Sequence, residues 1–254
     1  MKIVRFESHG HIHYGVLGEG GISPIEGDPF QDDYKVSDLI YSLTSCRLLA
    51  PCEPSKIVAY GVNYKSHSDE MGSHLPEEPL MFLKPTTSVI GPDQEIVHPP
   101  ISKRVDFEGE LGVVIGDIAR NVSREDAMKY VFGYTCLNDV TARDLQQKDG
   151  QWTRGKGFDT FCPFGPWIET ELSPEKLHLQ TRLNGEVKQD TDTSYMIFPT
   201  DVLISFASQV MTLLPGDVIA TGTTAGVGPM QPGDVVEVEI EGIGVLRNTV
   251  VAAD

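Results

Sequence analysis

The sequence has few cysteines, and it contains no long hydrophobic run. Its four cysteines, Cys46, Cys52, Cys136 and Cys162, are widely spaced and form no C-x-x-C pair. This spacing argues against a zinc cluster or a disulfide framework, and we expect buried free thiols instead. No apolar stretch approaches the roughly 18 residues of a membrane helix. The N-terminal residues also lack the apolar core of a signal peptide, so we expect a soluble cytoplasmic protein.

Basic residues are also scarce. The chain has 37 acidic and 20 basic residues, which gives a formal net charge of −17. Such a charge argues against nucleic acid or an anionic membrane as a partner. A small anionic substrate remains compatible with it, because such a molecule responds to the local field inside a cleft.

Short alternating segments dominate the chain. Residues 2–7 ("KIVRFE"), 11–17 ("HIHYGVL") and the C-terminal stretch from residue 234 alternate between apolar and polar side chains, as antiparallel strands do. Asn184-Gly185 predicts the turn of a hairpin. With few helical segments, this pattern predicts a mainly β (α+β) protein with a barrel-like or sandwich-like body.

Two domains and a few helices are expected along the chain. Two prolines in "LLAPCEPSK" interrupt regular structure. They divide a small β-rich N-terminal domain, residues 1–52, from a main body, residues 53–254. We predict helices at "VSDLIYSL", capped by Ser37, at "SREDAMKYVF", capped by Ser123, and within "FPTDVLISFASQVM". The segment "HSDEMG" fits a short helix or a mobile loop.

The stretch "VDFEGELGVVIG" places acids at alternate positions, Asp106, Glu108 and Glu110. Residues two apart in a strand face the same way, and burying unpaired like charges costs several kcal/mol. A shared Mg²⁺ or Mn²⁺ ion would relieve that cost, because hard cations prefer oxygen ligands. Asp139, just past another apolar strand, could supply a third ligand. The alternative is a solvated edge strand, but the apolar residues after Glu110 favour a covered one.

A histidine and a glutamate lie three residues apart in "YGVNYKSHSDEMG". If the segment is helical, His67 and Glu70 are neighbours on its surface. A carboxylate beside an imidazole orients the ring and raises its basicity, so the pair could activate water or move a proton. A surface histidine in a polar loop is the alternative.

Three cations stand in unusual settings. Lys84 ends an apolar run, Arg143 follows Asp139 by four residues, and Lys156 lies between two glycines. Each could bind a substrate carboxylate or an enolate oxygen, or could instead form a surface salt bridge. The glycines of "ATGTTAGVGPM", beginning with Gly222, could present N–H groups to an anion or could form a tight turn.

In their order along the chain, these segments resemble the fumarylacetoacetate hydrolase family. The likeness is to its short-chain branch of acylpyruvate hydrolases, oxaloacetate decarboxylases and hydroxyheptadienedioate isomerases. It runs from about residue 55 to 250 and rests on "GVNYKSHSDE", "MFLKP", "DFEGELGVVIG", "GYTCLNDVTARDLQ", "GKGFDTFCPFGPW", "LNGEVKQD" and "ATGTTAGVGP". The resemblance implies a rolled, mixed sheet, a small N-terminal domain and a homodimer.

The resemblance also implies a set of site residues. Its metal ligands fall on Glu108, Glu110 and Asp139, which would hold one Mg²⁺ or Mn²⁺ per chain, and Asp106 is not among them. Its catalytic positions fall on His67, Glu70 and Lys156, with the first two in a segment that can close as a lid. Its substrate-binding positions fall on Lys84, Arg143, Gln146, Gly222 and Thr223. Thr224 replaces a frequent family proline, which puts the rigidity of that wall in doubt.

The implied function is metal-dependent chemistry on a 2-oxo or 2-hydroxy-dienoic dicarboxylic acid, in catabolism, through a metal-stabilised enolate. Isomerisation of a 2-hydroxyhepta-2,4-diene-1,7-dioate type of substrate, or cleavage of an acylpyruvate, is the main expectation. Decarboxylation of oxaloacetate is an alternative, because these reactions share one enolate. A non-catalytic, metal-bound protein that binds small acids is the alternative from another class.

Overall fold

The computed structural model describes residues 1–31, 33–72 and 74–253, and it places twenty β-strands and four α-helices in them. The strands are β1 Lys2–Ser8, β2 His11–Gly18, β3 Gly21–Glu26, β4 Lys35–Val36, β5 Arg47–Leu48, β6 Ile57–Gly61, β7 Leu80–Lys84, β8 Val89–Ile90, β9 Glu95–His98, β10 Val105–Phe107, β11 Gly109–Ile115, β12 Val131–Asn138, β13 Thr141–Ala142, β14 Cys162–Glu169, β15 His178–Leu183, β16 Glu186–Asp192, β17 Val218–Ala220, β18 Gly228–Met230, β19 Val235–Ile240 and β20 Gly244–Ala252. The helices are α1 Lys65–Met71, α2 Arg143–Asp149, α3 Thr153–Lys156 and α4 Thr200–Val210. Short 3₁₀ turns occupy Leu43–Ser45, Thr86–Ser88, Ala127–Tyr130 and Thr193–Tyr195.

Three sheets organise the described strands. The largest has 12 strands, with β11 near its middle between β12 and β17. A 3-stranded sheet contains β10, β13 and β18, and a 5-stranded sheet runs β16-β15-β19-β20-β9. Most pairs are antiparallel, whereas β6 with β17, β8 with β14 and β9 with β20 are parallel. The prediction of a mainly β (α+β) fold with a mixed sheet is confirmed.

The N-terminal strands share a sheet with the main body. Strand β1 pairs with β14 through Lys2 opposite Glu169 and Ile3 opposite Ile168. The predicted boundary at residue 52 therefore lies between segments that one sheet joins, and it stays a prediction. Of the predicted domain 53–254, residues 73 and 254 lie outside the described residues.

The helix predicted at "VSDLIYSL" is wrong. Tyr41 and Ile22 exchange backbone hydrogen bonds of 2.8 and 2.9 Å, so the segment extends along β3 instead. The hydroxyl of Ser37 accepts the Leu39 N–H at 3.2 Å, which closes a local turn and not a helix. Leu39 and Ile40 are 65% and 62% exposed. An apolar helical face there would have nothing to pack against.

The helix predicted at "SREDAMKYVF" is also wrong. The segment after Ser123 is a turn leading into a 3₁₀ turn, because Val131 and Phe132 already belong to strand β12. The Ser123 hydroxyl does accept the Asp126 N–H at 3.3 Å. Of the two alternatives for "HSDEMG", a short helix or a mobile loop, the helix forms as α1, and the helix expected after Pro199 forms as α4. Asn184 and Gly185 have φ of 53° and 81°, as the predicted hairpin turn requires.

Strand β11 carries the centre of the fold. All seven of its residues are buried. Leu111, Val113 and Ile115 pack in one apolar cluster, whereas Val114 packs in another on the opposite face of the sheet. Because Gly109 pairs with Asn138, the start of β11 and the end of β12 lie side by side. Among the described residues, no helix is both long and apolar enough to cross a membrane.

The cysteines yield a first test of this packing. Cys52, Cys136 and Cys162 are buried, whereas Cys46 is partly exposed. Burial raises the pKa of the Cys162 thiol to about 12 and raises the pKa values of Cys52 and Cys136 as well. We therefore expect a thiol reagent at pH 8 to label one site rapidly in the native protein, and four after denaturation, because thiolates react and buried thiols do not ionise.

Quantifying released chromophore against time measures this directly. Cys46→Ser should remove the rapid phase and leave the other three thiols protected. Rapid labelling of two or more sites in the native wild-type protein would show that the core is not packed as described.

Candidate active site

Two neighbouring chain segments bring three carboxylates together. Glu108 connects β10 to β11, and its N–H donates to the Asn138 side-chain oxygen at 2.9 Å. Its carbonyl accepts the Asp139 N–H at 2.8 Å. Carboxylate oxygens of Glu108, Glu110 and Asp139 all lie within 4.8 Å of one another, and all three residues are buried. The acids predicted to converge therefore do so at covered strand ends.

Two lysines contact this cluster from one side. The Lys156 ammonium, at the end of α3, donates to Glu108 at 2.7 Å and to Asp139 at 2.5 Å. The Lys84 ammonium, at the end of β7, donates to the other Asp139 oxygen at 2.5 Å and to the Lys156 carbonyl at 2.6 Å. Burial lowers the pKa of Lys156, but Asp139 and Glu108 outweigh it and raise that pKa overall. Lys156 is thus a cation held in place.

Arg143 closes the cluster from α2. Its guanidinium donates to Asp106 at 2.9 Å, to Gln146 at 2.8 Å and to Glu108. Asp106 is fully buried and also accepts two hydrogen bonds from Arg104, at 2.9 and 3.1 Å. Asp106 therefore holds Arg143 in position. The sequence placed Asp106 in the row of acids but did not reveal this role.

The acids of the cluster are paired unevenly. Asp106, Glu108, Glu110 and Asp139 are buried beside three buried bases, Lys84, Arg143 and Lys156, and the half-exposed Arg104 also pairs with Asp106. Within the described residues no base forms an ion pair with Glu110, which accepts the Gly222 N–H at 2.7 Å. Burial, then Asp139 and Glu108, raise the pKa of Glu110 well above its usual range.

Glu108 shows the opposite shift. Its burial alone would raise its pKa, but Lys156 and Arg143 overcome this and hold the pKa well below its usual range. Glu110 is therefore the acid of this cluster that has no ion-pair partner among the described residues. Hard carboxylate oxygens that converge from three residues fit a divalent cation such as Mg²⁺ or Mn²⁺, which would place positive charge beside Glu110.

The predicted His67–Glu70 pair forms on α1. Imidazole Nδ1 lies 3.3 Å from a Glu70 oxygen, and the other Glu70 oxygen accepts the Gly226 N–H at 3.0 Å. The Ser66 and Thr224 hydroxyls are 3.0 Å apart. Thr224, which replaces the family proline, thus ties α1 to the 221–228 loop. Hydrogen bonds hold this wall where a proline ring would have preset it.

A cavity of about 360 Å³ opens onto this arrangement. Of the predicted site residues, it is lined by His67, Glu108, Glu110, Arg143, Gln146, Lys156 and Thr223. Glu70, Lys84, Asp139 and Gly222 stand behind that surface and contact the lining residues. Glu110 and His67 therefore face one space from different elements.

Sequence reasoning missed an aromatic part of the wall. Trp152 and Tyr60 line the cavity beside Val62, which has a positive φ of 56°. A Cβ on Gly61 would lie 2.5 Å from the Trp152 ring, so the glycine permits this contact. No sequence signal marked this wall, because the positive φ of Val62, which is rare for a β-branched residue, shows only in the structure.

Two family descriptions match different parts of the chain. The family described as fumarylacetoacetate (FAA) hydrolase C-terminal matches residues 56–251, and the one described as Rv2993c-like, N-terminal, matches residues 1–51. An uncharacterized protein of Archaeoglobus fulgidus is 54% identical over 251 residues, which is 98% of this chain and 96% of that protein. The mitochondrial oxaloacetate tautomerase Fahd2a of Rattus norvegicus is 43% identical over 215 residues, 80% of this chain and 69% of that protein.

Two solved structures share the fold. The 2-hydroxyhepta-2,4-diene-1,7-dioate isomerase of Mycobacterium marinum has a TM-score of 0.92 and 44% identity, covering 99% of this chain and 98% of its own. The maleylpyruvate hydrolase of Sphingobium sp. SYK-6, solved with manganese(II) and pyruvate, has a TM-score of 0.82 and 31% identity over 100% of both chains.

The unpaired charge of Glu110 leads to a stability prediction. In protein freed of metal with a chelator, Glu110→Gln should raise the free energy of unfolding at pH 8 by on the order of 2 kcal/mol, because it removes a buried uncompensated charge.

The effect should depend on pH. Since folding raises the pKa of Glu110, the loss of stability in wild-type protein is full above the folded pKa. It disappears below the unfolded value of about 4.3. The gain should therefore shrink as the pH falls. Urea unfolding across pH 4–8 measures it.

Glu125→Gln, at an exposed position, is the matched control and should change stability by less than about 0.5 kcal/mol. A Glu110→Gln variant less stable than metal-free wild type at pH 8 would show that the Glu110 charge is compensated in the fold.

Proposed function

The chain belongs to the fumarylacetoacetate hydrolase family, and on that premise we propose that it is a divalent-metal-dependent enzyme that isomerises a small 2-oxo dicarboxylic acid through its enolate. One observation carries this proposal. The buried acids Glu108, Glu110 and Asp139 converge, no described base forms an ion pair with Glu110, and two of the three acids line a cavity that His67 also lines. Relatives with isomerase and tautomerase names support the reaction class.

The cation would be held by the three acids, and when bound it supplies Lewis-acid polarisation of substrate oxygens. The ammonium of Lys156 stays protonated between Glu108 and Asp139, and it donates to the oxygen on which enolate charge develops. Arg143 and Gln146, joined by a 2.8 Å hydrogen bond, present donors to the substrate carboxylate from the same wall.

His67 is the proposed proton-transfer group. Glu70 engages Nδ1, which leaves Nε2 as the nitrogen that exchanges a proton with a substrate carbon. The imidazole takes a proton from the carbon beside the 2-oxo group. The imidazolium then returns that proton to the enolate oxygen, which gives the enol isomer and regenerates the neutral imidazole. Because Gly226 fixes Glu70, the ring keeps one orientation through the cycle.

Hydrolysis of an acylpyruvate is the second candidate. The maleylpyruvate hydrolase structure, solved with manganese and pyruvate, favours it. The same His67–Glu70 pair would then activate water for attack on the distal carbonyl.

Decarboxylation is a third candidate reaction, with oxaloacetate as the substrate. The His67–Glu70 pair argues against a protein that only binds small acids, because binding needs no proton carrier. The homodimer stays a prediction.

A substrate panel separates these reactions. Purified protein with Mn²⁺ or Mg²⁺ is given oxaloacetate, acylpyruvates and 2-hydroxy-dienedioates, and the products are identified by NMR. We expect an isomer of unchanged mass, and loss of turnover with chelator or in Asp139→Asn. Pyruvate plus a second acid would establish hydrolysis, and released CO₂ would establish decarboxylation.

The control is Asp126→Asn, at an exposed acid, which should keep wild-type turnover. Full turnover in metal-free Asp139→Asn would overturn metal dependence. No turnover of any panel member, with Mn²⁺ still bound, would favour the binding protein.

A single histidine substitution tests the proton-transfer role. His67→Ala should lower kcat by about 10² and leave KM within a few-fold, because general acid–base catalysis contributes about that much. Steady-state kinetics on the accepted substrate measures both constants. His178→Ala is a matched control, since His178 lies 2.8 Å from Asp190 in an exposed pair away from the cavity. An unchanged kcat in His67→Ala would remove the pair from the mechanism.

A further inference from the structure

Gly109, the residue between Glu108 and Glu110, is held on both sides of its backbone. Its N–H donates to Gln189 Oε1 at 2.9 Å, and its carbonyl accepts from the Thr223 hydroxyl at 2.9 Å. Gln189 Nε2 in turn donates to that hydroxyl at 2.8 Å. Three hydrogen bonds therefore close a ring through the backbone N–H and carbonyl of Gly109, the residue that connects the two glutamates.

The orientation of the Gln189 amide is fixed by its partners. The Gly109 N–H can only donate, and the Thr224 carbonyl, which accepts from Gln189 Nε2 at 2.9 Å, can only accept. A flipped amide would place two donors together and two acceptors together. Gln189 is fully buried, so losing its contacts would leave buried polar groups unpaired.

Gln189 also joins two sheets. It belongs to β16 of the 5-stranded sheet, whereas Gly109 begins β11 of the 12-stranded sheet. A Cβ on Gly109 would lie 2.0 Å from the Thr181 hydroxyl, so the strands approach closely here. A Cβ on Gly226 would lie 2.0 Å from the Lys188 carbonyl. The 221–228 loop thus packs on β16, the strand that carries Gln189.

That loop carries the N–H groups that hold two acids of the site. Gly222, next to Thr223, donates to Glu110, and Gly226 donates to Glu70. The Gln189 amide therefore contacts both the strand that bears Glu110 and the loop that orients it.

We propose that Gln189 is a positioning residue for the cation site. It fixes the Gly109 peptide and the Thr223–Thr224 backbone together, so that the carboxylates of Glu108 and Glu110 converge with Asp139. This inference rests on the proposed function, because it assumes that these acids bind a divalent cation. Gln189 itself lies behind the ligands and does not touch substrate.

Mn²⁺ titration calorimetry without substrate tests the proposal, with thermal unfolding as a parallel readout. Gln189→Met keeps the size of the side chain and removes its hydrogen bonds. It should weaken Mn²⁺ binding at least tenfold, as loss of a group that orients a metal ligand does. Gln180→Met, on the adjacent β15 and paired with Asp190 at 3.0 Å, is the matched control and should bind within twofold of wild type. A folded Gln189→Met variant with wild-type affinity and only a lower Tm would overturn the proposal.

Thr223→Val gives a second variant in case Gln189→Met does not fold. It should also weaken Mn²⁺ binding about tenfold, and Thr223→Ser should restore it, because serine keeps the hydroxyl of the ring. In the double variant, the two losses should be far from additive, since both act through Gly109. Additive losses, or wild-type affinity in Thr223→Val, would overturn the positioning role.

The wild-type titration separates this proposal from the proposed function. Wild-type protein that binds no Mn²⁺ would overturn the proposed function as well. Normal wild-type binding with unaffected variants would overturn only the role of Gln189.

Discussion

The buried Glu110 carboxylate, which has no ion-pair partner among the described residues, is the constraint on which the rest of the site depends. Uncompensated burial of one carboxylate costs several kcal/mol, a large fraction of a typical domain's stability. Each of the three buried bases already binds at least one of the other acids. Glu110 keeps only the Gly222 N–H among the described groups. A divalent cation at this position would relieve the repulsion and would supply the reactive centre of the site.

The fold meets this constraint by joining distant segments around one point. β11 and β12 bring Glu108, Glu110 and Asp139 together, and the ends of β7 and α3 bring the two lysines. The 221–228 loop links the carboxylate cluster to α1 through Gly222 and Gly226. The acid–base pair and the cation site thus share one support, so a shift of this loop would move both.

Local patterns explain why much of the site was predictable. Alternation along one strand placed Glu108 and Glu110 together, and a spacing of three on a helix placed His67 beside Glu70. Both predictions depend on neighbours in sequence. The hairpin at Asn184-Gly185 was predictable for the same reason, since that dipeptide accepts two positive φ values.

Long-range pairing explains what the sequence did not reveal. "VSDLIYSL" has a helical pattern, yet Tyr41 pairs with Ile22, and no local rule specifies that pairing. The hydrogen bond that Arg143 donates to Asp106 spans 37 residues, and the one that Gly109 donates to Gln189 spans 80. The residues next to Arg143 and Gln189 in the sequence do not indicate which distant groups these side chains will bind. The pairing of β1 with β14 likewise joins residues at opposite parts of the chain.

Anomalous X-ray diffraction from crystals grown with Mn²⁺ tests the central claim most directly. A cation bound by Glu108, Glu110 and Asp139 predicts one strong anomalous peak, with an oxygen of each residue at about 2 Å from it. The Lys156 ammonium should then remain beside Glu108 and Asp139 without occupying the peak. A well-ordered site with no anomalous density among these three carboxylates, at saturating Mn²⁺, would contradict the claim.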